Sequence, residues 1–146
     1  MVRTANLLNT QGYLGTPVSE IMRATGLQKG GIYRHFDSRA ALALEAFEFA
    51  FGRMRERLFQ AVEGKHTAKD KLFALFEVMR GAPRDEAFRG GCPVMNLAVE
   101  SDDADPELRD AARECFRQAQ AAVNSIGFSP TAAGAQPLLM CRNQAE

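Results

Sequence analysis

The chain has 146 residues, 46% hydrophobic and 25% charged, which is enough for one core and too apolar for a disordered segment. Its formal net charge is zero, which on its face argues against a nucleic-acid binder. No run approaches the roughly 18 to 20 apolar residues that span a bilayer, and the N-terminus lacks the apolar core of a signal peptide.

In chain order, the apolar spacing predicts helix almost everywhere before residue 126, and no stretch alternates with period two. A first helix carries Leu7 and Leu8 and is expected to close at Gly12 in a left-handed cap. Thr16-Pro17 reads as a cap followed by a tolerated proline, opening a second helix with the stripe Val18, Ile21 and Met22. Gly26 ends it, and a third, short helix is expected from about Lys29 to His35, with Ile32 and Phe36 facing inward. Asp37-Ser38 caps a fourth, in which Leu44, Phe47, Phe51, Met54, Leu58 and Ala61 recur at three- and four-residue steps. From Ser38 to Glu63 it would run roughly 39 Å at about 1.5 Å per residue. Thr67 with Asp70 opens a fifth helix, whose core face is expected to be Leu72, Phe73, Leu75, Phe76 and Met79. After a loop marked by Gly81, Pro83 and Gly90-Gly91, Cys92 to Val99 reads as a short apolar helix and Ser101 to Asp105 as an acidic turn. Asp105-Pro106 then starts a last helix with Leu108, Ala111, Ala112, Cys115, Phe116, Ala119 and Val123 at helical spacing. Gly127, Pro130, Gly134 and Pro137 interrupt the C-terminal stretch, so 127–146 is expected to be a poorly ordered tail.

The fold class is therefore all-α: a three-helix, helix-turn-helix domain over 1–42, then a helical and incomplete regulatory domain over 43–126. Two short helices joined by Thr25-Gly26-Leu27 form the helix-turn-helix, with Ala24 as the small residue at the crossing. The second of them must show its start to DNA, and Gln28, Lys29, Gly30 and Gly31 leave room for close approach while Lys29 offers a phosphate contact. Tyr33, Arg34 and His35 add hydroxyl, guanidinium and imidazole groups for a phosphate or a base edge. Thr16 to Ser19, at the start of the preceding helix, can receive a phosphate on free N–H groups. The zero net charge hides an asymmetry that suits this face. Up to position 39 the cations Arg3, Arg23, Lys29, Arg34 and Arg39 face only Glu20 and Asp37, whereas residues 85–110 are rich in Asp and Glu.

Gly12-Tyr13, the run from Thr16 to Ile21, the run from Gly26 to Phe36 and the run from Ser38 to Leu42 together resemble the DNA-binding domain of the tetracycline-repressor (TetR) family. The resemblance covers roughly residues 4 to 50, and Gly90 to Glu100 is similar to a ligand-domain segment of some members. It implies a homodimeric, ligand-responsive repressor that binds a double-stranded DNA operator and a small-molecule effector, with Lys29, Gly30, Gly31, Tyr33 and His35 facing DNA and Phe36 anchoring the recognition helix. Candidate pocket residues are Phe51, Phe59, Phe76, Cys92 and Met95. Met1 falls inside the first helix of the family pattern, and the broken tail stands where members continue helically. The expectation is thus a shortened member with an atypical, truncated C-terminus. The alternative is a remnant or interaction protein with impaired dimerisation and weak or no operator binding.

The remaining chemistry-bearing residues point away from catalysis. Cys92, Cys115 and Cys141 are widely spaced and form no CxxC pair, which argues against a disulfide framework or zinc site and for a reducing cytoplasm. The only histidines are His35 and His66, no glycine fingerprint follows a strand, and no carboxylate pair is well placed. No enzymatic activity, cofactor or metal is expected.

Overall fold

The computed structural model of the chain describes residues 1–101 and 105–128. The tail expected over 127–146 lies outside the described residues from 129 onward, as do Asp102 and Asp103 of the acidic turn and Cys141. Among the described residues every regular element is helical: α1 Val2–Gln11, α2 Val18–Thr25, α3 Lys29–Tyr33, α4 Arg39–Val62, α5 Ala68–Gly81, α6 Pro93–Ser101 and α7 Pro106–Phe128. Two short 3₁₀ turns, Ala82–Arg84 and Glu86–Phe88, link α5 to α6.

Local chemistry accounts for most of the boundaries. The Ser38 hydroxyl accepts from Ala41 N–H at 3.0 Å and starts α4. Thr67 accepts from Asp70 N–H at 3.1 Å while donating to the Asp70 carboxylate at 2.7 Å, which starts α5. Asp105 accepts from the N–H groups of Glu107 and Leu108 at 3.0 and 3.2 Å at the head of α7. Two expected caps differ. Gly12 closes α1 with φ 108° and ψ 138°, so the chain leaves on an extended path and not through a left-handed helical cap. Thr16 does not cap α2, whose N-cap position is Pro17; the Thr16 hydroxyl instead donates to the Gly12 carbonyl at 2.6 Å.

One core runs through the whole molecule. Ala5 and Leu8 of α1, Ile21 of α2, Ile32 of α3, Leu42, Ala43, Ala46, Phe47 and Phe51 of α4, Leu97 of α6 and Leu108, Ala112 and Cys115 of α7 belong to a single buried cluster. The boundary expected at residue 42 falls inside α4, whose 24 residues serve both ends of the molecule over roughly 36 Å. At its centre Phe47 meets Tyr13 edge-on, with ring centroids 6.0 Å apart, and stacks on Phe51 at 6.0 Å.

A polar seam ties α1 to the loop and helix that lie some 80 residues later. The buried Asn9 amide donates to the carbonyls of Arg89 and Gly91 at 2.7 and 3.1 Å, and its oxygen accepts from the Tyr13 hydroxyl at 3.1 Å and from Asn96 at 3.0 Å. Asn96 also donates to the carbonyls of Asn9 and Gly90. Gly90 has φ +88°, and a Cβ there would stand 2.5 Å from the Asn9 carbonyl oxygen, so only glycine fits. The Glu100 carboxylate closes the seam by accepting from Leu14 N–H at 2.9 Å.

Of the core face expected for α5, only Leu75 is half-buried. Phe73 and Phe76 are 61% and 69% exposed, Leu72 and Met79 are exposed as well, and the half-buried residues are Ala68, Lys71, Ala74, Leu75 and Val78. Apolar residues occupy two sides of α5, and α4 and α7 cover only one. Phe59 of α4 is also exposed, as are Phe116 and Val123 of α7 and Met95 and Val99 of α6.

Two consequences can be measured. Phe47→Ala should cost about 3–5 kcal/mol of stability in a urea titration, as a buried aromatic lost without collapse of its site, while Phe76→Ala should change it by no more than about 0.5 kcal/mol. Burial, and then the nearby Glu100 carboxylate, push the Tyr13 phenol well above its ordinary value. The folded state therefore holds this proton more tightly than the unfolded chain. The stability linked to Tyr13 is complete below about pH 10 and declines as pH rises beyond it. Urea titrations between pH 9 and 11 should show a smaller alkaline loss in Tyr13→Phe than in the parent chain.

Candidate nucleic-acid interface

The first three helices present a short helix at the surface and brace it from behind. The Gly26 N–H bonds the Met22 carbonyl at 2.8 Å with the residue in the left-handed region (φ 76°, ψ 5°), which turns the chain sharply after α2. Thr25 supports the turn: its hydroxyl donates to the Ile21 carbonyl at 2.7 Å and accepts from Leu27 N–H at 3.3 Å. Helix α3 spans five residues, shorter than the Lys29–His35 expected, although Arg34, His35 and Phe36 continue the winding with bonds to Gly30 and Ile32. Ile32 is buried and Phe36 is packed against the core, so the expected inward pair is inward.

The opposite side of α3 is bare. Gln28, Lys29, Gly30, Tyr33, Arg34 and His35 are exposed, Tyr33 by 41%, and Gly31 is half-buried. The Lys29 ammonium sits 5.9 Å from the centroid of the Tyr33 ring one turn on, so the two form a cationic, aromatic tip. Sequence spacing places these residues four apart, a signal that could have identified the pair.

Gly30 and Gly31 have no role inside the chain. Neither has a positive φ, and a Cβ at either would meet nothing within 4 Å. Each nevertheless lowers helix stability by about 1 kcal/mol relative to alanine. Two adjacent glycines that neither packing nor backbone geometry requires suit a surface that another backbone approaches closely.

Elsewhere the expected site residues separate. Ser19 is exposed near the start of α2, but Thr16 is 2% exposed with its hydroxyl on Gly12. A side-chain contact from Thr16 to a ligand is therefore ruled out by burial. Arg39, counted among the phosphate-facing cations, is also turned inward. Its guanidinium donates to the Tyr13 carbonyl at 2.9 Å and to the Thr16 carbonyl at 2.7 and 3.2 Å, clamping the loop before α2 onto the start of α4. Nothing in the local sequence distinguishes this arginine from an exposed one. Arg23 is exposed and paired with Glu20 at 3.3 Å.

A second candidate site lies at the far end of α4. A cavity of about 180 Å³ opens between α4, α5 and α7. Phe51 and Phe59, two of the expected pocket residues, line it; Phe76, Cys92 and Met95 do not. Phe76 and Met95 point to solvent, and Cys92 is half-buried near the polar seam. Arg55, Leu75, Gln118 and Val123 complete walls that the periodicity did not bring together. Among the described residues no cluster of His, Cys, Asp and Glu could hold a metal, and no helix is long and apolar enough to cross a membrane.

Comparison with known proteins places both halves in one family. Residues 1–46 match the family model "Bacterial regulatory proteins, tetR family", and residues 68–132 match "Tetracyclin repressor-like, C-terminal domain", so the two models together span most of the chain. The fold is similar to a TetR transcriptional regulator from Chloroflexus aurantiacus, with 42% identity and a TM-score of 0.78 over 86% of this chain and 64% of that one. A TetR-family regulator from Cytophaga hutchinsonii is 31% identical, with a TM-score of 0.78 over 85% of this chain and 62% of that one. Among curated proteins, the Bacillus subtilis transcriptional regulator LmrA is 26% identical over 77% of this chain and 60% of its own length. The chain thus spans less than two thirds of the length of each of these relatives.

Substitution of the two glycines tests their role directly. Gly30→Ala and Gly31→Ala should each raise stability in urea, by about 0.5–1 kcal/mol. If the bare tip serves an incoming partner, the same changes should weaken that partner's binding, so that stability and affinity move in opposite directions.

Proposed function

The chain belongs to the TetR family of bacterial regulatory proteins, and from that premise we propose that it is a sequence-specific, DNA-binding transcriptional regulator acting as a ligand-responsive repressor. The observation that carries this reading is the α3 tip: Gly30 and Gly31 serve nothing within the chain, and they are flanked by the exposed Lys29–Tyr33 pair. A helix whose first turn lacks bulky side chains can lie close against the floor and walls of a major groove. Lys29 then meets a phosphate, Tyr33 and His35 meet backbone or base edges, and Arg34 and Gln28 lie beside them. Ser19 and the start of α2 take a neighbouring phosphate. Thr16 contributes by holding the loop in place.

In this reading residues 1–42 form the DNA-binding domain and 43–126 the regulatory domain, in the cytoplasm, with no cofactor and no enzymatic activity. The effector occupies the cavity at the far end of α4. Because α4 packs against α1 while its Phe51, Met54, Leu58 and Val62 line the cavity, one helix joins the two sites. An effector that binds one tilt of α4 better than another would change the position of α3 by its differential affinity for the two. Two copies of the chain would read a palindromic site with their α3 helices about 34–36 Å apart.

The exposed Phe73 and Phe76 favour a second reading, an interaction protein that dimerises poorly and binds operator DNA weakly or not at all. Sedimentation and DNA binding separate the two. Under the first reading the chain sediments as a dimer and selects a palindrome from a random duplex library. On that selected site Lys29→Ala should weaken binding and lower the slope of log affinity against log salt by about 0.9 per protomer. Tyr33→Ala should weaken binding with a smaller effect on the slope. Unchanged affinity in both variants would refute the docking face.

A further inference from the structure

We propose that Asn96 is a positioning residue for DNA reading. With Asn9 it holds the head formed by α1, α2 and α3 at one angle to the remaining helices, and so narrows the half-site spacing that a pair of heads accepts. This rests on the reading of the chain as a dimeric DNA-binding regulator, and it names a specificity-determining contact outside the α3 tip.

The Asn96 amide donates to the Gly90 carbonyl at 2.8 Å and to the Asn9 side-chain and backbone oxygens at 3.0 and 3.1 Å. Asn9 returns two bonds to the same loop, at the carbonyls of Arg89 and Gly91. The loop is shaped for this contact. Gly90 and Gly91 both have positive φ, +88° and +95°, and the Gly90 backbone lies where a Cβ would strike Asn9. One turn further along α6, Glu100 makes a second tie by accepting from Leu14 N–H. Leu14 stands in the loop before α2, which Arg39 clamps at Tyr13 and Thr16. The two ties therefore act on the last turn of α1 and on the entrance to α2, the elements that carry α3.

Two kinds of contact join this head to the other helices, and they constrain it differently. The packing of α1 and Tyr13 on α4 rewards buried apolar area and not direction, so small tilts and slides cost little. Hydrogen bonds weaken steeply as they bend, and a buried polar group that loses its partner keeps its desolvation penalty. Asn9 is 6% exposed, so solvent does not readily replace bonds that a tilt breaks. The seam thus selects one orientation among those that the apolar contact permits. In a pair of heads that orientation fixes the distance and the rotation between the two α3 helices. One base-pair step changes the half-site relation by about 3.4 Å and about 35°. A head free to tilt reaches a mis-spaced half-site more easily, and holds the matched pose for a smaller share of the time.

Two variants of the full chain test the assignment at pH 7. Asn96→Ala removes the donors and suits a helix, while Asn9 keeps its bonds to Arg89, Gly91 and Tyr13. Asn96→Asp keeps the shape but sets a carboxylate that only accepts against carbonyl oxygens. Circular dichroism checks that each variant folds. Residual dipolar couplings of the amides then compare the orientation of α1–α3 with that of α5–α7. One alignment should fit both groups in the parent chain, and two should be needed in each variant. On the selected palindrome, inserting one central base pair should weaken the parent by about tenfold or more. Each variant should bind the original site less tightly and pay an insertion penalty more than about twofold smaller than the parent's. A loss of folded protein alone would weaken both duplexes equally and leave the penalty unchanged. A single alignment in both variants, or a penalty within about twofold of the parent's, overturns the proposal. If no duplex is selected, the regulator reading is lost, and the couplings, which need no DNA, decide whether Asn96 holds the head.

Discussion

Helix α3 has five residues, and a helix that short has no stability of its own in water because its nucleation cost is spread over almost no hydrogen bonds. Everything that α3 presents therefore depends on what is buried beneath it. Ile32 enters the common core, Phe36 packs against it, and Gly26 with Thr25 sets the angle at which the chain arrives. The Arg39 clamp fixes the loop before α2 to the first turn of α4 and so holds the brace as well as the helix it supports. A cation at a helix N-terminus is unfavourable for the helix dipole. Its bonds to two carbonyls explain why it is placed there.

The zero net charge is compatible with a DNA-binding face because charge acts over about a Debye length, some 8–10 Å, and not over the whole molecule. Arg3, Arg23, Lys29 and Arg34 are exposed among the first three helices, and up to position 39 the only acidic residues are Glu20 and Asp37. One of the five early cations is withdrawn into structure, yet the balance near α3 stays positive. Lys29 gains a further constraint from the Tyr33 ring, which limits the freedom it must give up on contact.

The Asn9 seam gives the front of the molecule a defined position relative to the rest. Asn9 is buried with its donor and acceptor groups partnered, and those partners come from Tyr13, the 89–91 loop and Asn96. A buried amide so fully engaged admits few alternative arrangements, since any slip leaves polar groups unpaired. Gly90 permits the close approach, and Glu100 secures the start of the next loop. Together with α4, the seam makes two connections between the proposed DNA-reading end and the remaining helices.

Much of this was legible in the sequence. The all-helical class, the helix boundaries near Ser38, Thr67 and Asp105, and the glycine-led third helix come from local rules: caps, periodicity and glycine placement act within a few residues and need no partner from afar. The residues that carry the family resemblance lie in the same local stretch. Which side of each helix is covered is a different matter. Phe73 and Leu75 lie on the same apolar helix, and only the arrival of α4 and α7 makes one exposed and the other half-buried. Thr16 and Arg39 look like surface contacts until the loop folds back on them, and Asn9 meets Asn96 only because the 89–91 loop brings the start of α6 up to the end of α1. The order of amino acids was thus sufficient for the helices and for the identity of the α3 tip, because those are short-range properties of the chain. The burial of each face, the clamp, the seam and the cavity came only with the packed molecule, because each depends on residues far apart along the chain meeting in space.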